Sequence, residues 1–237
     1  MTAPRPDGLS ILMPVYNEIE RIERALDATL AVDLPCPFEL VIVDDGSTDG
    51  TVEYLSSRSF PDNVRVHFHA RNKGKGAAVR TALADARLAY SAIFDADLEY
   101  DPRDLAVLLE PLRGDDGVRV VYGVRTFDGY TSHSFLYVMG NRAVTLTANV
   151  LFNVYIHDLM TCHKAMHTEL FKSLPLRANG FSIEPEITAR LLQRRERIYE
   201  VPVRYRARAT DEGKKLTALD GFRVVWTLLR CRLTGAR

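Results

Sequence analysis

Cysteine is scarce in this chain, and the three present, Cys36, Cys162 and Cys231, are odd in number and lack a C-x-x-C spacing. That pattern excludes a disulfide framework and predicts a reduced, cytoplasmic setting. Net charge is absent as well. With 31 Lys and Arg balanced by 31 Asp and Glu, no global field steers the protein to nucleic acid, and no such partner is expected. Met1–Gly8 is polar and contains proline, so it does not read as a signal peptide. No run is apolar enough for an isolated membrane span; Ser134–Tyr155 lacks acidic residues but carries Arg142 and three asparagines. The remainder, 46% apolar and 26% charged over 237 residues, is the composition of one globular α/β unit.

What the chain does have is a strand–helix rhythm in its first half. Leu9–Met13, Phe38–Val43, Val64–Phe68, Ser91–Phe94 and Val118–Tyr122 are nearly continuous apolar runs rich in β-branched residues, as in a parallel sheet covered on both faces. Between them, Ile19, Ile22, Leu26 and Leu30 mark one helical stripe, and Ala78, Ala82 and Ala86 mark a small-residue stripe. Pro102–Leu112 reads as a third helix, with Asp101 as its N-cap. This alternation predicts a doubly wound, mostly parallel sheet with helices on both faces and ligands at the C-terminal strand ends. Later the rhythm breaks. Ser134–Val154 reads as a long helix with Leu136, Met139, Ala143, Leu146 and Val150 on one face and Asn141, Thr145, Asn149 and Asn153 along another. Pro185–Arg195 reads as helix, Ile198–Tyr205 as strand, and Ala218–Leu233 as an amphipathic helix with Leu219, Phe222, Trp226, Leu229 and Leu233 in a stripe.

The chemistry gathers where strands end. In Ala92–Glu99, Asp95, Asp97 and Glu99 stand at alternate positions; in an extended segment they would share one side. Carboxylates that close repel unless a cation neutralises them, and hard oxygen ligands suit Mg2+ or Mn2+ holding a diphosphate. Pro14, Tyr16 and Glu18 follow the first strand; proline stops the ladder and Tyr16 offers a flat ring. Asp44-Asp45-Gly46-Ser47-Thr48-Asp49 reads as a strand-to-helix joint with a Ser/Thr cap, whose carboxylates are also placed to accept a hydrogen bond from a base or ribose. Asn72-Lys73-Gly74-Lys75-Gly76 opens a helix with glycines and lysines, a phosphate cradle that matches neither a P-loop nor a full dinucleotide fingerprint. His157, Cys162, His163 and His167 lack the spacing of a zinc site. Arg206, Arg208, Lys214 and Lys215 surround an acidic Asp211-Glu212, either as an exposed charged loop or as a basic segment closing over phosphate.

Taken in order, Pro14-Val-Tyr16-Asn17-Glu18, Asp44–Asp49, Asn72–Gly76 and Asp95-Ala96-Asp97-Leu98-Glu99 resemble the motifs of family 2 glycosyltransferases of the GT-A fold, in particular the dolichyl-phosphate mannose synthase-like branch. Gly123-Val124-Arg125, Asp158–Lys164 and Arg208–Lys215 resemble that branch's later motifs. The resemblance implies a single GT-A domain over 1–237, with a nucleotide-sugar half at 1–125 and an elaborated acceptor half at 126–237. It implies that Pro14, Tyr16, Glu18, Val43 and Asp45 hold the nucleotide, that Asp95, Ala96 and Asp97 line the diphosphate, and that Asp97 and Glu99 hold the metal. Arg125, Arg208 and Lys215 would contact phosphates, with Asp97, Arg208 and Lys215 central to catalysis. Where the branch commonly has Gln, this chain has Glu99.

The expected activity is an inverting, metal-dependent transfer of a hexose from a donor of the GDP-mannose or UDP-glucose type to a polyprenyl phosphate. The competing readings are transfer to a hydroxyl of a soluble acceptor, with Glu184 or Glu186 as base, and a nucleotide-binding module without catalysis. A nucleotidyltransferase would need a glycine- and arginine-containing loop where Pro14-Val-Tyr16-Asn17 stands. Between Arg204 and Arg237 nine Lys/Arg face three Asp/Glu, so the last helix suits peripheral contact with the membrane's inner face. For Trp226 itself, packing on the sheet is the expected place.

Overall fold

The computed structural model describes residues 4–114, 116–125, 135–206 and 218–234. Its sheet is built from β1 (Leu9–Val15), β2 (Phe38–Asp44), β3 (Val64–Phe68), β4 (Tyr90–Ile93), β5 (Val120–Arg125), β6 (Lys164–His167) and β7 (Ile198–Val203). The helices are α1 (Ile22–Leu30), α2 (Thr51–Ser57), α3 (Lys75–Asp85), α4 (Asp104–Arg113), α5 (Phe135–Phe152), α6 (Thr168–Ser173), α7 (Ile183–Gln193) and α8 (Ala218–Thr234). The strands lie in the order β3-β2-β1-β4-β6-β5-β7. β6 runs antiparallel to both neighbours and the other pairings are parallel. The expected mostly parallel, two-sided sheet is therefore present.

Continuous apolar strands are required because both faces are covered. Leu9, Ile11 and Met13 of β1 belong to one core cluster on one side of the sheet, which also takes in Leu105, Leu108 and Leu109 of α4. Leu12 packs on the other with Ala78, Val79 and Ala82 of α3, where small side chains let the helix approach closely. Ala148, Leu159, Val224, Leu228 and Cys231 form a third cluster, joining α5 and α8.

Four local expectations are corrected. β4 ends at Ile93, and Leu98 has φ 61°, so Asp95–Glu99 is a loop and strand alternation does not set where its carboxylates point. Asp101 does not cap α4. Arg103 holds the N-cap position, and the Asp101 carboxylate accepts from the Arg103 backbone N–H and guanidinium. Gly50, with φ 101°, stands at the N-cap of α2 in place of a Ser or Thr. Ile19 precedes α1 and is exposed. The short β6 and α6 have no counterpart in the sequence reading, because a strand spelled Lys-Ala-Met-His looks solvent-facing. The Lys164 amine is nevertheless fully buried: it donates to the carbonyls of Leu159 and Thr161 at 2.9 and 2.8 Å and lies 4.0 Å from the Tyr122 ring centre. Burial lowers its pKa to about 8, against the charges of Glu184 and Asp158.

The polar stripe of α5 points inward. Asn141 donates to Asp158, Thr145 accepts from the Leu159 N–H, and Asn149 exchanges two bonds with the Ile156 backbone. The helix's other stripe points out, with Met139, Leu146 and Val150 exposed. α8 likewise packs through Val224 and Leu228 and turns Phe222, Leu229 and Leu233 outward. Trp226, expected on the sheet, is 68% exposed. No helix among the described residues is long and apolar enough to cross a membrane.

Asn141 belongs to a buried ion pair between Arg125 at the end of β5 and Asp158, bonded at 2.6 and 2.8 Å. Burial raises the Asp158 pKa, but the Arg125 bonds and charge outweigh it and hold the carboxyl below its ordinary value. A depressed carboxylate pKa contributes stability above the unfolded value of about 4, and that contribution fades as pH falls through the folded one. Asp158→Ala strands a buried guanidinium and should cost about 3–5 kcal/mol in urea unfolding near neutral pH. The gap from wild type should narrow below about pH 4.

Candidate active site

β1 and β4 are adjacent and parallel, and the chain leaves them toward opposite ends of the sheet. This is the switch point where open α/β sheets leave a crevice beyond their C-terminal strand ends. The loops after β1, β2, β3 and β4 converge there, as does the segment entering antiparallel β6.

The first two loops are stitched together. Asn17, at φ 53°, accepts from the Thr48 N–H through its side chain, and its own N–H donates to the Ser47 hydroxyl. The Glu18 and Ile19 N–H groups donate to Thr51 and Asp49. Tyr16 is left exposed and Pro14 half-buried beside this seam. The fully buried Asp44 carboxylate folds its own turn, accepting from the Gly46 and Ser47 N–H groups and the Ser47 hydroxyl. Gly46 has φ 75°, and a Cβ there would lie 2.5 Å from the Arg71 carbonyl carbon. Only glycine lets the loops after β2 and β3 touch.

Asp45 is the clasp between them. Its Oδ1 lies 2.6 Å from His69 Nδ1 and accepts from the Lys73 N–H at 3.0 Å; its Oδ2 accepts from the Gly74 N–H at 2.6 Å. The three contacts fix the glycine-rich segment that opens α3. Val43, in the strand before it, is fully buried in the sheet.

Lys75, at the first position of α3, enters a mostly buried cluster. Its ammonium donates to Asp95 Oδ2 at 2.7 Å and Cys162 Sγ at 2.9 Å, and lies 2.9 Å from Glu184 Oε1. Burial lowers its pKa, but Asp95, Cys162 and Glu184 outweigh that and hold it well above the ordinary lysine value. Burial, then Asp95, pushes the Cys162 thiol up, so it stays protonated. His163 sits fully buried between Phe94 and Tyr100, and burial lowers its pKa to about 3. In the sequence Lys75 reads only as part of a phosphate cradle, and nothing local marks Cys162 as its partner or His69 as that of Asp45. The one sequence cue was the lysine between Gly74 and Gly76.

The other expected site residues are distributed unevenly. Ala96 is buried and Asp97 half-exposed in the loop after β4, and Asp97 Oδ1 accepts from the Glu99 N–H. Glu99 is buried: its Oε2 accepts from the Tyr205 hydroxyl at 2.8 Å, and its carbonyl accepts from the Arg206 N–H. Among the described residues no three His, Cys, Asp or Glu side chains converge as a metal cage. Arg125 is buried against Asp158, with the Tyr205 ring centre 5.1 Å away. Glu18 is near Arg21. Glu184 is paired with Lys75, and Glu186 accepts from the Arg177 and Ala178 N–H groups, so neither carboxylate is open to solvent. Arg208 and Lys215 lie outside the described residues.

Comparison with known proteins agrees with this layout. The pattern of glycosyl transferase family 2 matches residues 10–174. Undecaprenyl-phosphate mannosyltransferase of Micrococcus luteus is 26% identical over 94% of this chain and 97% of its own. Polyprenol monophosphomannose synthase of Mycolicibacterium smegmatis is 28% identical over 86% and 79%. Glucosyl-3-phosphoglycerate synthase from Mycobacterium tuberculosis, solved with Mn2+ and UDP, superposes with a TM-score of 0.73 at 24% identity over 96% of this chain and 80% of that one, a likeness of fold. With crevice, loop motifs and fold in agreement over most of its length, the chain belongs to glycosyl transferase family 2, in the dolichyl-phosphate mannose synthase-like branch, and is a GT-A glycosyltransferase.

Proposed function

We propose that this enzyme transfers a hexose, with inversion, from a nucleoside-diphosphate sugar to a polyprenyl phosphate. The observation that carries the reading is the Lys75 cluster, which sets one buried cation between the Asp95 loop and Glu184 beside the crevice; the acceptor class follows the relatives of known activity. In the reaction an acceptor phosphate oxygen bonds to the anomeric carbon from the face opposite the donor. The bond from that carbon to the donor's phosphate oxygen breaks, and the electron pair leaves with the nucleoside diphosphate. A phosphate nucleophile is already anionic and needs no general base. A hydroxyl acceptor does need one, and the burial of Glu184 and Glu186 disfavours that alternative.

Pro14, Tyr16, Glu18 and Asp45 would wall the nucleotide side, with Val43 buried in the sheet beneath them, and Asp95 and Ala96 the diphosphate side. Asp95 is already balanced by Lys75, which leaves the half-exposed Asp97 as the carboxylate that suits Mg2+ or Mn2+. Mg2+ typically takes one or two carboxylates and completes its shell with substrate phosphates and water, so a site without a three-residue cage fits. Once bound, the ion would offset charge building on the leaving diphosphate. Glu99 would support that loop through Tyr205, and Arg208 and Lys215 would supply positive charge to phosphates. The outward stripes of α5 and α8, flanked by Arg142, Arg223, Arg230 and Arg232, suit an anionic lipid surface, each basic residue contributing about 1 kcal/mol.

Asp97→Asn should abolish metal-dependent donor turnover with an unchanged melting temperature; wild-type turnover in manganese titrations would count against the assignment. Arg208→Ala should reduce transfer to polyprenyl phosphate far more than donor hydrolysis, compared in one radiolabel assay. A Phe222→Ser/Trp226→Ser double variant should lose co-sedimentation with phosphatidylglycerol vesicles while turning over a short, water-soluble acceptor at the wild-type rate.

A further inference from the structure

Asp45, in the turn after β2, is almost closed off from solvent. Its side chain is 3% exposed, and the donors around it are unevenly shared. Among the described residues, Oδ1 carries His69 Nδ1 and the Lys73 N–H, while Oδ2 carries only the Gly74 N–H. An ionised carboxylate has about four acceptor positions, so one remains, on Oδ2.

His69 causes that asymmetry. Its backbone N–H donates to the Asp44 carbonyl at 2.9 Å, which fixes where the ring begins. Its Nε2 lies 3.0 Å from the Thr81 hydroxyl of α3, and the ring is buried with Asp45. Because the carboxylate can only accept, Nδ1 carries the proton; the Thr81 hydroxyl donates to Nε2 and holds that tautomer. A carboxylate held in this way cannot swing, and it cannot offer both oxygens at once.

The consequence is a choice of base. Guanine presents two adjacent donors on its Watson–Crick edge, ring N1–H and the amino group, and their full engagement by a carboxylate needs both oxygens free. Uracil presents one ring N–H, which needs one. We infer that His69 positions Asp45 so that the site takes a uracil nucleotide in preference to a guanine nucleotide, which makes the donor a UDP-sugar. This rests on Asp45 being the residue that meets the base. A site built around one hydrogen-bonding group discriminates strongly when a ligand leaves part of the match unmade.

Calorimetric titration of UDP and GDP, without sugar, into the full chain tests it. The wild type should bind UDP at least about tenfold more tightly than GDP. His69→Asn places an amide N–H near the position of Nδ1 and should keep that preference. His69→Gln places its amide near Thr81, frees Oδ1 and should bring the two affinities within about threefold, with kcat at saturating donor unchanged. A wild type that prefers GDP, or binds both alike, overturns the inference. So do Asn and Gln variants that behave identically, since that is what simple space-filling would give. Asp45→Ala separates the layers: if UDP affinity is unchanged, Asp45 is not the base-reading residue and the inference falls with it. If affinity is lost in a protein whose wild type shows no base preference, the nucleotide role stands and the inference alone is wrong.

Discussion

A lysine ammonium removed from water must be surrounded by acceptors, and Lys75 meets that demand with groups from three separate segments. Asp95 comes from the loop after β4, Cys162 from the approach to β6, and Glu184 from the first turn of α7. The segments are far apart in the chain and meet only when the sheet has formed. Removing any one partner would leave charge buried with less compensation, which costs several kcal/mol. The cluster therefore ties the loops after β3 and β4 to the later helices and fixes the floor of the crevice at the same time.

Around that floor the protein spends its polar groups on holding loops in place. Asp44 folds one turn, Asp45 fastens the next, and Asn17, Asp49 and Thr51 join the first two loops through side-chain-to-backbone bonds. Glu99 fastens Tyr205 and Arg206, immediately before the basic segment. Such preorganisation suits a reaction whose barrier lies in charge separation, because dipoles set before the reaction need no rearrangement during it. The acidic residues divide accordingly. Asp44, Asp45, Asp158, Glu184 and Glu186 are buried with donors or cations about them, whereas Asp95 and Asp97, in the loop after β4, are half-buried, and Asp95 is paired with Lys75.

The opposite economy governs α5 and α8. Each buries a stripe against the other and leaves an apolar stripe outside, with Phe222 75% and Val150 74% exposed. Side chains of that size are seldom left in water on a contiguous face without a partner. Arginines flank the face, and Arg142 interrupts its α5 stripe.

The order of apolar runs by itself determined the two-faced sheet and its helices, because strands buried on both sides must be apolar throughout. The motifs likewise identified the strand ends that build the crevice and the family, since local turn chemistry needs Gly46 and its neighbouring carboxylates wherever the fold places them. Other features required the tertiary structure. β6 was illegible because Lys164 looks exposed until backbone carbonyls and the Tyr122 face close around it. The alternate carboxylates of Asp95–Glu99 suggested one shared face, but the strand stops at Ile93 and the loop sends Asp95 to Lys75 and Glu99 to Tyr205. The stripe of α8 was legible as a stripe and not as a direction: a helix with two apolar faces can bury either one, and which face turns outward depends on the neighbour that reaches it first, here α5 and α7. Sequence spacing fixes which side chains share a face, and only long-range packing decides what that face meets.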